Sequence, residues 1–129
     1  MKELIVIAGD SVGSLASVAE ALGSVGVNIE AISAYGIDHK AVFRIITGDA
    51  SSAMKVLSKL NNTEIRESDI LLYKMINRPG ELGKITRKLA EKSINLESLY
   101  IVSRKQDYTE IAIKPATSDI DRAKEILGL

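Results

Sequence analysis

The chain has 129 residues, of which 46% are apolar and 26% charged, and its 17 Lys and Arg are balanced by 17 Asp and Glu. That length suits one ordinary domain or two small ones that share burial surface, and a net charge of zero gives no electrostatic reason to expect nucleic acid. The absence of Cys excludes a disulfide framework or a thiolate site, and no apolar run approaches the roughly 18 residues of a membrane-spanning helix.

Met1-Lys2-Glu3-Leu4 carries no signal-peptide pattern and leads directly into the apolar run Leu4 to Ala8, so a cytoplasmic location is the default expectation. The run ends at Gly9 and suits a strand buried on both faces. Asp10 and Ser11 are N-cap residue types, and Leu15, Val18, Ala19, Leu22 and Val25 then recur at helical spacing. Gly23 and Gly26 are expected to end that helix. Asn28 to Tyr35 reads as a strand, residues 36–40 as a turn, and Ala41 to Thr47 as the returning strand of a hairpin. Asp49-Ala50-Ser51 opens a second helix through Ala53, Val56, Leu57 and Leu60, which Asn61 and Asn62 are expected to stop. A short strand near Glu64 to Glu67 completes a βαββαβ unit over residues 1–68.

Residues 69–129 begin a second unit with almost no linker. Ile70 to Ile76 is its first strand, and Arg78-Pro79-Gly80 turns into a helix carrying Leu82, Ile85 and Leu89. Leu96 to Ser103 and Tyr108 to Lys114 form a hairpin, and Ser118-Asp119 is expected to cap a last helix through Ile120, Ala123, Ile126 and Leu127. A fourth strand is lacking, which predicts a sheet edge that is uncovered or paired with something else.

The two units are copies. A shift of 67 positions superimposes Gly13 on Gly80, Leu15 on Leu82, Leu22 on Leu89, Asn28 on Asn95 and Glu30 on Glu97, with Val18/Ile85, Val27/Ile94, Ile29/Leu96 and Ile32/Leu99 matching conservatively. An internal repeat of this kind decides the architecture. It gives an α+β fold of two tandem ferredoxin-like βαββαβ units, each an antiparallel sheet with its helices on one face. The other face of such a sheet normally shows polar alternation, but Ile5 and Ile7 oppose Leu4, Val6 and Ala8, so both faces are expected to be covered. The helix from Gly13 to Val25 has one charge, Glu20, whereas its copy carries Glu81, Lys84, Arg87, Lys88, Glu91 and Lys92. The smooth helix therefore reads as one packed on another element and the charged one as solvated.

Asn77-Arg78-Pro79-Gly80-Glu81-Leu82 with Ile94-Asn95-Leu96 resembles the pattern of the ACT domain family of small-molecule-binding regulatory modules. Asp10-Ser11-Val12-Gly13-Ser14-Leu15 with Gly26-Val27-Asn28-Ile29 is a looser version that lacks the Pro. Together the two copies extend the resemblance over essentially the whole chain. It implies a tandem, non-catalytic regulatory protein without a cofactor, binding a free amino acid at an interface between modules. In the family the ligand lies between the turn before the first helix and the start of the second strand of a neighbouring module. Here those positions are Asp10 to Leu15 and Asn77 to Leu82, with Asn28-Ile29 and Asn95-Leu96. Asp10, Asn77, Asn28 and Asn95 are the expected side-chain contacts.

The chemistry is reasonable without the family. A helix N-terminus offers unsatisfied N–H groups to a carboxylate, Gly13 and Gly80 let a ligand approach the backbone, and Asn supplies both donor and acceptor. The simpler reading has the Gly and Asn residues only shaping turns. Asp10 is anionic where Asn77 is neutral, so only one of the two turns is expected to bind well. The expected partners are the amino acid, a second copy of the chain as a homodimer, and a target enzyme or regulator, with neither membrane nor nucleic acid. The main competitor is a regulatory subunit that docks on an enzyme or transcription regulator without binding ligand itself. Gly9-Asp10-Ser11-Val12-Gly13 also matches a nucleophile elbow, with His39 as the sole His. The repeat, however, puts Arg78 in the place of Ser11. A P-loop fails for want of a Lys after Gly13, and one His without Cys argues against zinc.

Overall fold

Two units, Met1–Ser68 and Asp69–Leu129, make up the chain, and the computed structural model describes all of residues 1–129. The first unit runs β1 (Lys2–Gly9), α1 (Ser14–Ser24), β2 (Ala31–Ile37), β3 (Lys40–Ile46), α2 (Ala50–Leu57) and β4 (Thr63–Asp69). Its sheet has the order β2-β3-β1-β4, with β3 antiparallel to both β1 and β2. Alternation along β1 sends Leu4 and Val6 to the helices, where they meet Phe43 and Ile45 of β3. Val18 and Leu22 of α1, and Ala53 and Leu57 of α2, stand four residues apart and close the same cluster. Fully buried Leu4, Leu22 and Leu57 each contribute roughly 1.5–3 kcal/mol by leaving water. On the opposite face Glu3, Val42 and Ile46 are buried and Ile5 and Ile7 half-buried, so that face is not a water-washed one. The Glu3 carboxylate there accepts from Arg44 at 3.0 Å, and Arg44 also donates to the Tyr35 hydroxyl at 3.2 Å.

The second unit runs β5 (Leu71–Ile76), α3 (Glu81–Glu91), β6 (Leu96–Arg104), β7 (Tyr108–Pro115) and α4 (Ile120–Leu127), the last entered through a 3₁₀ turn at Thr117–Asp119. Its sheet has three strands in the order β5-β7-β6, all antiparallel neighbours. Leu71, Ile111 and Ile113 pack with Ile85 and Leu89 of α3 and Ala123 and Leu127 of α4. The two sheets and four helices give the tandem ferredoxin-like fold expected from the repeat, with no fourth strand in the second sheet. No helix is long and apolar enough to cross a membrane.

Local differences from the sequence reading have physical causes. Asp10 and Ser11 do not cap α1: the N-cap is Gly13, with φ 89° and no side-chain cap bond, and Gly80 repeats this before α3 with the same φ. Asp119 likewise makes no cap bond, its carboxylate being engaged by Arg122 at 2.9 Å. Asp49 does cap α2, accepting from the Ser52 N–H at 3.1 Å. Gly23 lies inside α1 rather than ending it, and α2 ends at Leu57, short of Asn61 and Asn62. β2 begins at Ala31 instead of Asn28, and its hairpin is tighter than expected, with only Asp38 and His39 between the strands. Both have positive φ, 49° and 63°, as a two-residue hairpin turn matching the strand twist requires.

Candidate functional site

The two turns are built on one backbone pattern. In the first, Asp10 N–H donates to His39 O, Ser11 N–H to Gly9 O, Ser14 N–H to Ser11 O and Ser17 N–H to Gly13 O. In the second, Asn77 N–H donates to Asp107 O, Arg78 N–H to Ile76 O, Glu81 N–H to Arg78 O and Lys84 N–H to Gly80 O. Three of these four bonds correspond at the 67-residue shift, and the fourth ties each turn to the tip of its own β-hairpin. Each turn therefore presents the first N–H groups of a helix beyond a left-handed Gly, the same arrangement for an anion in both copies.

Side chains then make the copies different. In the first turn the Ser14 hydroxyl donates to Gly9 O at 2.8 Å and lies 2.9 Å from the Ser11 hydroxyl. Ser11 is thus paired with Ser14 and makes no hydrogen bond with His39, so the nucleophile-elbow reading gains no geometry. The Asp10 carboxylate hangs over the hairpin, where a methyl group added at Gly36 would come within 3.1 Å of it. In the second turn the Asn77 amide donates to Lys105 O at 2.9 Å, which spends the side chain on the hairpin. Glu81, nearly buried, accepts from Arg78 Nε at 2.9 Å and from Lys84 Nζ at 3.2 Å. These two donors, Arg78 first, hold its carboxyl below the usual 4.5.

Two cavities open at the first turn and share Ser11, Gly13 and Ser14. One, of about 330 Å³, lies toward Asn61, Asn62 and Thr63 and mixes hydroxyls and amides with the aliphatic Val12, Val18 and Leu60. The other, of about 580 Å³, runs between α1 and the β2 edge and has an apolar wall of Leu15, Ala16, Ala19, Ala34 and Phe43, with Asp10 at its rim. Ala16, Ala19, Ala34 and Phe43 were not singled out from sequence as site residues. The uncharged stretch of α1 was the only signal for Ala16 and Ala19, and nothing marked Ala34 of β2 or Phe43 of β3.

Within one unit the turn does not meet the second-strand start. The β1–β3–β2 register sets Gly9 beside Lys40 and Ile37 at the turn end, and Glu3 beside Ile46 and Ala31 at the other. Six strand steps separate the two ends, about 20 Å. Asn28 and Ile29 lie just before Ala31, with Asn28 exposed and Ile29 packed on the core. Asn95 and Leu96 repeat this: Leu96 pairs with Pro115 while the turn end carries Ile76 beside Tyr108, and Asn95 is exposed. Val12, Pro79 and Leu82 are exposed on the turns themselves.

The unguarded side of the first unit lies along α1 and β2. β2 is an edge strand without a charge, Ala31 to Ile37, and Leu15, Ile32, Tyr35 and Ile37 are exposed along it and α1. The opposite edge, β4, carries Glu64, Arg66, Glu67 and Asp69, the charged protection usual for a free edge.

Residues 2–64 match the ACT domain family. No curated protein sequence matches the chain. Among solved structures, a protein from Bacteroides thetaiotaomicron is similar with a TM-score of 0.86 and 24% identity, over 98% of this chain and 85% of that one. The regulatory subunit of aspartate kinase from Thermus thermophilus is similar with a TM-score of 0.69 and 18% identity, over 98% and 91%. Aspartokinase alpha and beta subunits give a TM-score of 0.70 and 19% identity, over 98% and 89%. At these identities the likeness is one of fold.

Proposed function

We propose that this chain, whose first unit matches the ACT domain family over residues 2–64, is a non-catalytic, cytoplasmic sensor that binds a free amino acid between two modules. The single observation that carries this is the separation of the site's halves: the Asp10–Leu15 turn and the Asn28-Ile29 strand start stand at opposite ends of one sheet, so a ligand touching both bridges two modules. Such a ligand stabilises the assembled form, and binding thereby becomes regulation.

The first turn is the binding one. Its helix N–H groups face an α-carboxylate, the Asp10 carboxylate makes no hydrogen bond within the chain and suits an α-ammonium, and the groove beside α1 takes a side chain. Asn77 and Glu81 are already engaged in the second turn. The uncharged β2 edge and α1 form the contact to a second copy in a homodimer. The fold is that of the aspartate kinase regulatory subunit, in keeping with a regulatory role. The same bare edge favours a second reading, in which it docks directly on an enzyme or regulator and no ligand is bound.

A thermal-shift screen against the twenty amino acids tests the proposal. Ligand at about 100 times its Kd adds roughly 2.7 kcal/mol. A shift with one or a few related amino acids is expected, and no shift with any of them leaves the docking-subunit reading.

A further inference from the structure

We infer that the second turn is closed by the chain's own Glu81 carboxylate, which takes up the turn's cations, so that each chain offers one ligand turn and not two. This rests on the reading of the first turn as the ligand site. At the 67-residue shift Arg78, Glu81 and Lys84 fall on Ser11, Ser14 and Ser17. The three positions that are all serine in one copy are thus all charged in the other, on matching backbone hydrogen bonds.

The serines are short. Ser11 and Ser14 bond each other, and all three line the 330 Å³ cleft. The charged residues are long and pair among themselves: Glu81 is 8% exposed and holds both Arg78 and Lys84. A carboxylate three residues from its guanidinium partner acts at an effective concentration of about millimolar or more. A free amino acid offers the same carboxylate without the tether. To reach those cations it must displace Glu81 from both donors at once, which charge-assisted hydrogen bonds resist. In the first turn the paired side chains are the neutral Ser11 and Ser14, and no charged pair has to be broken.

Amide NMR of the full chain, titrated with each of the twenty amino acids, reads the two turns separately through Gly13 and Gly80. The parent is expected to show saturable shifts at Gly13 and none at Gly80. The triple variant Arg78→Ser, Glu81→Ser, Lys84→Ser is expected to respond at both, with affinity at Gly80 raised at least tenfold. The converse variant Ser11→Arg, Ser14→Glu, Ser17→Lys is expected to lose the Gly13 response, and it serves should the first variant fail to fold. A parent responding at both glycines, or a folded serine variant still silent at Gly80, overturns the closure while the sensor reading stands. A response at Gly80 only in the serine variant, with Gly13 silent throughout, supports the closure and overturns the first-turn reading. Silence at both glycines in every protein overturns both.

Discussion

Gly13 and Gly80 hold the same left-handed φ of 89°, and a Cβ at either would meet no atom within 4 Å. Substitution there is penalised by conformation and not by crowding. Gly13→Ala should therefore cost about 1–2 kcal/mol, the left-handed penalty for an L-residue, measured by urea denaturation, with Gly80→Ala equal to it. Glu81 adds a pH dependence. Its folded value is depressed by Arg78 and Lys84, so its stabilisation is complete above the ordinary value of 4.5 and lost as pH falls through the lower folded value. Glu81→Gln should lower the melting temperature at pH 7 and converge with the parent in acid. A constant difference from pH 7 down to acid would show that the carboxylate charge plays no part. The sequence makes the glycines legible because two copies carry them. It hides the Arg78–Glu81–Lys84 cluster, since a charge in the turn and two in the first turns of α3 read equally as a solvated surface.

At the scale of elements, the helices and strands could be read from periodicity, and the misplaced ends were those where a cap or turn competes with the pattern. Asp10 and Ser11 are cap types, yet the chain needs a left-handed residue before α1, and only Gly13 takes that conformation without cost. Similarly, Asp38 and His39 are not glycines, so a two-residue hairpin could not be told from a longer one. The bareness of β2 and α1 was legible in the helix alone. Finding the edge position of β2 required the strand order. Ile32 is exposed on that edge, so Ile32→Lys should change folding stability by no more than about 0.5 kcal/mol while lowering the association state seen by sedimentation velocity. Unaltered association would place the contact elsewhere. Ile5→Lys, on the partly covered face of β1, should destabilise instead, because it sets a half-buried ammonium directly across from the Arg44 guanidinium.

For the whole chain, duplication supplied two similar backbones and divergence gave them different chemistry. The family resemblance marked both turns as candidates, and the structure separates them: one is open beside two cavities with the Asp10 carboxylate unengaged, the other is tied up by Lys105 and Glu81. In the proposed sensor the far end of the pocket belongs to another module, so one sequence does not make the choice of amino acid legible. The most direct measurement is a calorimetric titration of the parent, Asp10→Ala and Asn77→Ala with the amino acid giving the largest thermal shift. One site per chain is predicted, with affinity falling at least tenfold in Asp10→Ala and unchanged in Asn77→Ala, whose effect should fall on stability through the lost bond to Lys105. Equal losses in the two variants, or two sites per chain, would contradict the account.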